Sequence, residues 1–123
     1  MLDHIGIDIA DYDRSRAFYL QALPALGWEL VEEIQGWAAF GPPRQPVFWL
    51  RQASPATNPI HIAFAAPNRA AVDAFHAAAL AAGAQDNGPP GLRPIYHPNY
   101  YGAFVLDPDG HNIEAVCHRP EAS

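Results

Sequence analysis

The chain has 123 residues, half of them hydrophobic, with a formal net charge of −6 and seven basic residues that are all scattered arginines. These values allow one ordinary hydrophobic core and argue against nucleic acid as a partner, because no basic stripe exists. The single Cys117 excludes an internal disulfide, and the sequence shows no membrane-length apolar run or signal-peptide pattern, so we expect a cytoplasmic protein without a membrane partner.

The first predicted strand is LDHIGIDIAD at residues 2–11. Successive side chains of a strand point to opposite faces, so its three isoleucines share one face that is predicted to pack against a core. His4 and Gly6 lie on the opposite face. A histidine followed by a glycine there suggests a face with a purpose other than packing.

A helix and three shorter strands are predicted to complete the first half. The helical pattern runs through YDRSRAFYLQALPALGW, where Asp11 or Asp13 is the expected N-cap and Pro24 ends the regular part. The strand candidates are WELVEEI, GWAAF and PVFWLRQ, which Gly36 and the turn GPPRQP separate.

The second half repeats this order 57 residues later. His61 in NPIHIAFAAP takes the place of His4, and a helix follows that is capped by Asn68 and ends near Gly83. A short strand is predicted near residues 84–87, and GPPGLRPIYHPN after it is predicted to be irregular because of its proline and glycine content. YYGAFVL and HNIEAVCH are predicted to form a hairpin across DPDG.

The repeat predicts an α+β fold of two βαβββ modules, each of which needs the other to cover its sheet. Module 1 is expected over about residues 1–55 and module 2 over about 56–123, within one domain over residues 1–123. Each module has one helix, which covers the isoleucine face. His4 and His61 therefore point away from the helices, toward whatever the two sheets enclose.

Glu114 is the third candidate for this enclosed face. Ile113 fits the core side of the last strand, which turns the Glu114 carboxylate to the cavity. A carboxylate in a concavity is costly unless it is paired or bound to a cation. Together with His4 and His61 it would form a facial triad for a divalent ion, with open positions for water, substrate or oxygen.

The sequence resembles members of the vicinal oxygen chelate superfamily, which includes glyoxalase I, fosfomycin-resistance thiol transferases, extradiol catechol dioxygenases and bleomycin-resistance proteins. The resemblance spans nearly the whole chain and rests on HIGIDIAD with RAFY, on HIAF and on FVLDPDGHNIE. It implies curved mixed sheets around a metal cleft, with His4, His61 and Glu114 as the ligands of one divalent ion of Fe, Mn, Ni, Co or Zn. It also implies a homodimer, in which the ligands come from one chain or from both.

Departures from the family's patterns leave the reaction open. Glyoxalase I takes a fourth ligand, a glutamate, from the strand that here reads PVFWLRQ and has no carboxylate. Fosfomycin-type transferases need a cation-rich pocket and usually carry a tyrosine where this chain has Phe104. The extradiol dioxygenase pattern agrees with His97 and with the spacing of the ligand glutamate, but it too has a tyrosine at Phe104, for which Tyr100 or Tyr101 is a candidate substitute.

The segment GLRPIYHPNYYG, at residues 91–102, is predicted to carry the reacting groups other than the metal. His97 is the candidate general acid or base, beside Tyr100. The candidate substrate-binding residues are Trp49, Tyr96, Tyr101, Phe104 and Arg93. We expect a metal-dependent enzyme, dioxygenase- or lyase-like, acting on a small aromatic or vicinal-oxygen substrate. The alternative is a non-catalytic small-molecule binding protein of the bleomycin-resistance type.

Other aromatic residues and histidines are expected to be structural. Three aromatic residues are predicted to lie in the core, namely Trp28, Trp37 and Phe40. His76 on the second helix is expected to be exposed, and neither His111 nor His118 is assigned to the metal.

Overall fold

Two four-stranded mixed sheets and two helices form the computed structural model of the chain, which describes residues 2–53 and 58–121. The first sheet has the strand order β1-β4-β3-β2, with the strands β1 (Ile5–Ile9), β2 (Glu29–Ile34), β3 (Trp37–Gly41) and β4 (Phe48–Gln52). The second has the order β5-β8-β7-β6, with the strands β5 (His61–Ala65), β6 (Gln85–Leu92), β7 (Tyr101–Leu106) and β8 (Asn112–Cys117).

Each half of the chain therefore builds one sheet with the same connectivity. Helix α1 (Tyr12–Ala22) and a 3-10 helix (Leu23–Leu26) follow β1, and helix α2 (Arg69–Ala81) follows β5. The first and last strands of each half are parallel neighbours. This confirms the predicted α+β fold of two βαβββ units. The boundary expected between the modules, near residues 55 and 56, lies outside the described residues.

Both helices are bounded by the predicted capping residues. Of the two candidates for α1, Asp11 is the cap, and its carboxylate accepts from the backbone N–H of Arg14. Asn68 caps α2 in the same way. The regular part of α1 ends before Pro24, and Gly83 follows α2 with a φ of +101°, a conformation that glycine adopts without strain. Neither helix of the described residues is long and apolar enough to cross a membrane.

Strand β6 extends through a segment that was predicted to be irregular. It runs to Leu92, across the sequence GPPGL, and pairs with β7. The prediction was wrong because β6 is an edge strand, where proline is tolerated since its missing N–H interrupts no inner ladder. The pairing also shifts register between Asp86 and Gly88 and between Gly88 and Gly91, as bulges do.

The helix-facing sides of both sheets share one hydrophobic core. Aromatic contacts join the two halves there, because the Phe64 ring lies 5.2 Å from that of Phe48 and 5.0 Å from that of Trp28, centroid to centroid. Phe40 is fully buried and Trp28 packs against the core, as predicted.

Two of the structural expectations were wrong. Trp37 is 41% exposed, because it begins β3 on the face that no helix covers. His76 is buried rather than exposed, and its Nε2 lies 2.9 Å from a carboxylate oxygen of Asp86 on β6.

The turn at residues 107–111 fastens the two halves together. Its buried Asp107 accepts a 2.5 Å hydrogen bond from the hydroxyl of Tyr19 on α1 and two more from the backbone N–H groups of Asp109 and His111. The Asp109 carboxylate in turn accepts from the backbone N–H of Ala10. Burial raises the pKa of Asp107 and raises that of Tyr19 well above its ordinary value.

His111 completes this connection with both ring nitrogens. Its Nδ1 accepts from the backbone N–H of Ile60 at 3.1 Å, so its proton resides on Nε2, which donates to the Asp8 carbonyl at 3.0 Å. The ring is almost completely buried. His111 therefore joins β1 to the residue that precedes β5.

Replacing Tyr19 by phenylalanine should lower the free energy of unfolding by about 1–3 kcal/mol, because it removes a donor from a buried carboxylate. Urea denaturation of both proteins measures the difference. Tyr12→Phe is the matched control, since the Tyr12 hydroxyl donates to the more exposed Glu33 and its loss should change the free energy of unfolding by less than about 0.5 kcal/mol. Equal losses in the two variants would contradict the role assigned to Asp107.

Candidate functional site

The helix-free face of the second sheet brings His61 and Glu114 together. Strands β5 and β8 are parallel neighbours, with His61 opposite Asn112 and Ala63 opposite Glu114. Nε2 of His61 lies 3.1 Å from Oε1 of Glu114. Glu114 is only 2% exposed, whereas the His61 side chain is about half exposed. The carboxylate is therefore buried beneath a histidine that solvent can reach.

Tyr100 forms a hydrogen bond with the other oxygen of this carboxylate. Its hydroxyl donates a short hydrogen bond to Oε2 of Glu114. Gly102 leaves room for the contact, because an added Cβ there would lie 3.2 Å from both Oε2 of Glu114 and the Tyr100 ring. Burial first, and then the neighbouring carboxylate, raise the pKa of Tyr100 to about 12. The phenol therefore remains a hydrogen-bond donor at neutral pH.

Aromatic rings surround the pair. A cavity of about 370 Å³ is lined by His61, Tyr96, Tyr100, Phe104 and Glu114. The rings of Tyr96 and Tyr100 meet edge to face at 5.1 Å, and the Phe104 ring lies 6.2 Å from that of His61. The cavity thus offers flat apolar walls beside a carboxylate, an imidazole and a phenol. Arg93 does not line this cavity, but its guanidinium lies 5.6 Å from the centroid of the Phe104 ring.

Two candidate residues lie away from this cavity. The ring of His97 packs against His118 at 5.7 Å, and its Nδ1 accepts from the backbone N–H of Asn99. Tyr101 points to the helix side of the sheet, where its hydroxyl donates to Asp73 on α2. The structure therefore does not bring His97 or Tyr101 together with Glu114.

The first sheet presents a second, more apolar cavity. It measures about 450 Å³ and is lined by His4, Gly6, Ile34, Trp37 and Trp49. The Trp37 and Trp49 rings meet edge to face at 6.2 Å. His4 is largely exposed, and its Nδ1 lies 2.7 Å from the carboxylate of Asp3. Gly6, the next residue on the same face as His4, has no side chain and so leaves room for a cavity walled by tryptophan.

Trp49 holds the place in the first sheet that Glu114 holds in the second. Gly6 pairs with Trp49 across β1 and β4, and Ala63 pairs with Glu114 across β5 and β8. Gly6 and Ala63 are themselves related by the 57-residue repeat. The two sheets therefore contribute different chemistry from equivalent positions, aromatic in one and acidic in the other.

A single copy of the chain presents two of the three predicted metal ligands together. The 3.1 Å between His61 Nε2 and Glu114 Oε1 suits two donors that share one ion at about 2.1 Å from each. His4 borders a cavity of about 350 Å³ together with His61. However, no group of three His, Cys, Asp or Glu side chains in residues 2–53 and 58–121 is placed to hold a metal ion. Within one copy, the predicted triad does not assemble.

Comparison with known proteins identifies the family. A sequence profile of the Glyoxalase/Bleomycin resistance protein/Dioxygenase superfamily matches residues 1–115. The chain belongs to this superfamily. A search of curated proteins gave no match.

Solved structures of the superfamily share the fold of the chain. A glyoxalase/bleomycin resistance protein from Albidiferax ferrireducens T118 is 31% identical, with a TM-score of 0.83 over 98% of this chain and 99% of that one. A putative glyoxalase from Bacillus halodurans is 24% identical, with a TM-score of 0.71 over 95% of each chain. A glyoxalase-related enzyme from Fulvimarina pelagi is 20% identical, with a TM-score of 0.74 over 95% of this chain and 87% of that one.

Sequence reasoning missed three residues that shape the site: Trp37 lines the second cavity, and Asn112 and Gly102 contact residues that line the first. Asn112 lies 2.7 Å from the His61 ring, and strand alternation could have revealed it, because it shares a face with Glu114. Trp37 was expected in the core. Gly102 gave no signal, since its close approach depends on how the preceding loop returns Tyr100 to the sheet.

Glu114→Gln should lower the pKa of Tyr100 from about 12 toward the ordinary tyrosine value of about 10, because the neighbouring negative charge is removed. An alkaline ultraviolet titration of tyrosine absorbance measures this shift. A phenol whose pKa is raised by folding stabilises the protein below about pH 10, and this stability is lost as the pH rises toward 12. The wild type should therefore lose more stability over that window than the variant.

The control for this titration is the same substitution in a Tyr100→Phe background. No tyrosine should then shift, since Tyr12, whose pKa is also about 12, lies beside Glu33 and not beside Glu114. A shift that persists without Tyr100 would show that another tyrosine senses Glu114.

Proposed function

We propose that this chain is one subunit of a metal-dependent enzyme that acts on a small aromatic or vicinal-oxygen substrate, with a dioxygenase- or lyase-like reaction. The observation that carries the proposal is the buried Glu114, which has His61 on one oxygen and the Tyr100 hydroxyl on the other, at the wall of an aromatic cavity. Membership of the superfamily supports a metal-dependent chemistry for such a carboxylate and imidazole.

In this proposal each metal site is completed by a second copy of the chain. His61 and Glu114 of one copy and His4 of the other would hold one ion of Fe, Mn, Ni, Co or Zn. His4 stands on an apolar face of the first sheet, where Ile34 is 62% and Trp37 41% exposed. Covering that face in a homodimer would remove apolar surface from water and bring His4 to a neighbouring cavity.

The bound ion would act as a Lewis acid toward adjacent oxygen atoms of the substrate. The chain's own residues bind and orient that substrate. The rings of Tyr96 and Phe104 hold a flat group, and Arg93, whose guanidinium lies beside the Phe104 ring, adds a positive charge nearby. Tyr100 donates a hydrogen bond to a substrate oxygen when it leaves Glu114. A tyrosine hydroxyl is protonated at neutral pH, so Tyr100 has a proton to donate.

Tyr100 takes the proton-handling role that the sequence had suggested for His97. The phenol lies on the carboxylate, whereas the His97 ring is separated from Tyr100 by His118, which meets Tyr100 edge to face at 5.1 Å. Cys117 is free and buried, which suits the cytoplasmic location that we include in the proposal.

Mixed dimers test whether the ligands come from two copies. His4→Ala and Glu114→Gln each damage every site of their own homodimer. In a coexpressed mixture, however, half of the dimers are mixed and each mixed dimer regains one site with all its ligands. The mixture should therefore bind about a quarter of the wild-type metal, measured by elemental analysis after dialysis against a metal buffer.

The matched control combines His61→Ala with Glu114→Gln. Both ligands belong to the same half-site in the proposal, so no mixed dimer regains a complete site and no metal binding should return. Restoration in the control, or none in the test mixture when mixed dimers are present, would contradict the shared site.

The second candidate function is small-molecule binding without catalysis. The cavity of about 450 Å³ walled by Trp37 and Trp49 favours it, because tryptophan faces bind flat ligands without any metal. A binding protein should lose ligand affinity in Trp49→Ala and lose little in Tyr100→Phe. An enzyme should instead lose turnover by about 10²-fold or more in Tyr100→Phe on any substrate that it converts.

A further inference from the structure

A directional chain of hydrogen bonds ends at the candidate carboxylate. The side-chain amide of Asn87 donates to Oδ1 of Asn112 at 3.2 Å, and Nδ2 of Asn112 lies 2.7 Å from Nδ1 of His61. Nε2 of His61 faces Oε1 of Glu114 at 3.1 Å, and the Tyr100 hydroxyl donates to Oε2. Side chains from β6, β8 and β5 thus form a chain that ends at Glu114, and Tyr100 from the loop before β7 donates to the same carboxylate.

The direction of this chain determines where the imidazole carries its proton. An amide nitrogen only donates, so Nδ1 of His61 must accept from Asn112. A neutral imidazole that accepts at Nδ1 holds its proton on Nε2, which then donates to Glu114. In the same arrangement the Asn112 amide oxygen accepts from Asn87, and Glu114, which as a carboxylate only accepts, faces the Nε2 donor.

The strands hold these two asparagines in place. His61 and Asn112 are directly paired residues of the parallel strands β5 and β8. Asn87 is the unpaired residue in the register shift between Asp86 and Gly88, and a bulge of this kind re-aims a side chain. The contact between Asn112 and His61 is therefore built into the paired strands.

We propose that Asn112 is a positioning residue that sets the tautomer of His61 and so decides whether Nε2 donates to Glu114 or binds a cation. A cation needs the lone pair of Nε2, so the ring proton must reside on Nδ1. That tautomer requires Asn112 to present its oxygen, which means turning its amide and breaking the bond from Asn87. The cation half of the proposal rests on the proposed function, whereas the tautomer half does not.

Nuclear magnetic resonance of protein labelled with ¹⁵N-histidine shows directly which ring nitrogen of His61 carries a proton. We expect the wild-type His61 proton on Nε2. In Asn112→Asp the new carboxylate only accepts, so Nδ1 should carry a proton, whether or not Nε2 keeps the proton that it donates to Glu114. Asn87→Asp should also place a proton on Nδ1, from one residue further away, because its carboxylate would draw the amide nitrogen of Asn112 toward itself.

A control variant and a metal titration make the test specific. Gln85→Glu adds the same charge to an exposed position of β6 and should leave the tautomer unchanged. Zn²⁺ titration by calorimetry should show about tenfold tighter binding in Asn112→Asp than in the wild type, as outer partners of metal-binding histidines commonly contribute. Asn87→Asp provides the second variant if Asn112→Asp does not fold.

The outcomes separate the two proposals. A wild-type His61 with a proton on Nδ1, or a folded Asn112→Asp variant without a proton on Nδ1, would overturn the role of Asn112. A proton on Nδ1 in the variant together with tighter Zn²⁺ binding supports both halves. A proton on Nδ1 in the variant while neither protein binds Zn²⁺ supports the role of Asn112 on His61 and contradicts the proposed metal site.

Discussion

A buried carboxylate at the end of β7 fixes how the two halves of the molecule meet. Asp107 lies where water does not satisfy it, so it must be hydrogen-bonded by protein groups. It obtains one donor from the first half, at Tyr19, and two from its own turn. Since the same turn carries His111, which bonds residues before β5 and within β1, the placement of both sheets depends on this turn.

That placement separates the chemistry of the site into two surfaces. The second sheet carries the ionisable groups around Glu114, and the first carries tryptophan at the equivalent position of its own fourth strand. One copy therefore presents the Glu114 cavity and the tryptophan-walled cavity on different parts of its surface. In the proposed homodimer, each Glu114 cavity would lie next to the tryptophan-walled cavity of the other copy, so that the two together would form one reacting centre.

The sequence predicted those features that depend on local periodicity. Strand alternation placed His4 and His61 on helix-free faces, and capping chemistry found Asp11 and Asn68. Periodicity gives the face of a side chain but not the distance between two sheets, so it could not show that His4 lies apart from Glu114. Nor could periodicity show that the Tyr100 ring packs close to Gly102 and reaches Glu114, because the position of Tyr100 depends on the fold of the loop before β7.

The outer strands of the two sheets also bear on how the protein behaves at high concentration. An uncovered edge strand offers unpaired N–H and C=O groups on which another chain can add a strand and begin an aggregate. At the β6 edge of the second sheet, Pro89 and Pro90 lack the N–H that such pairing requires, and the bulges of β6 interrupt its register. At the β2 edge of the first sheet, three glutamates carry negative charge that opposes a like strand from a second molecule. These two edge strands thus resist uncontrolled strand addition by different means, β6 through missing donors and β2 through repulsion.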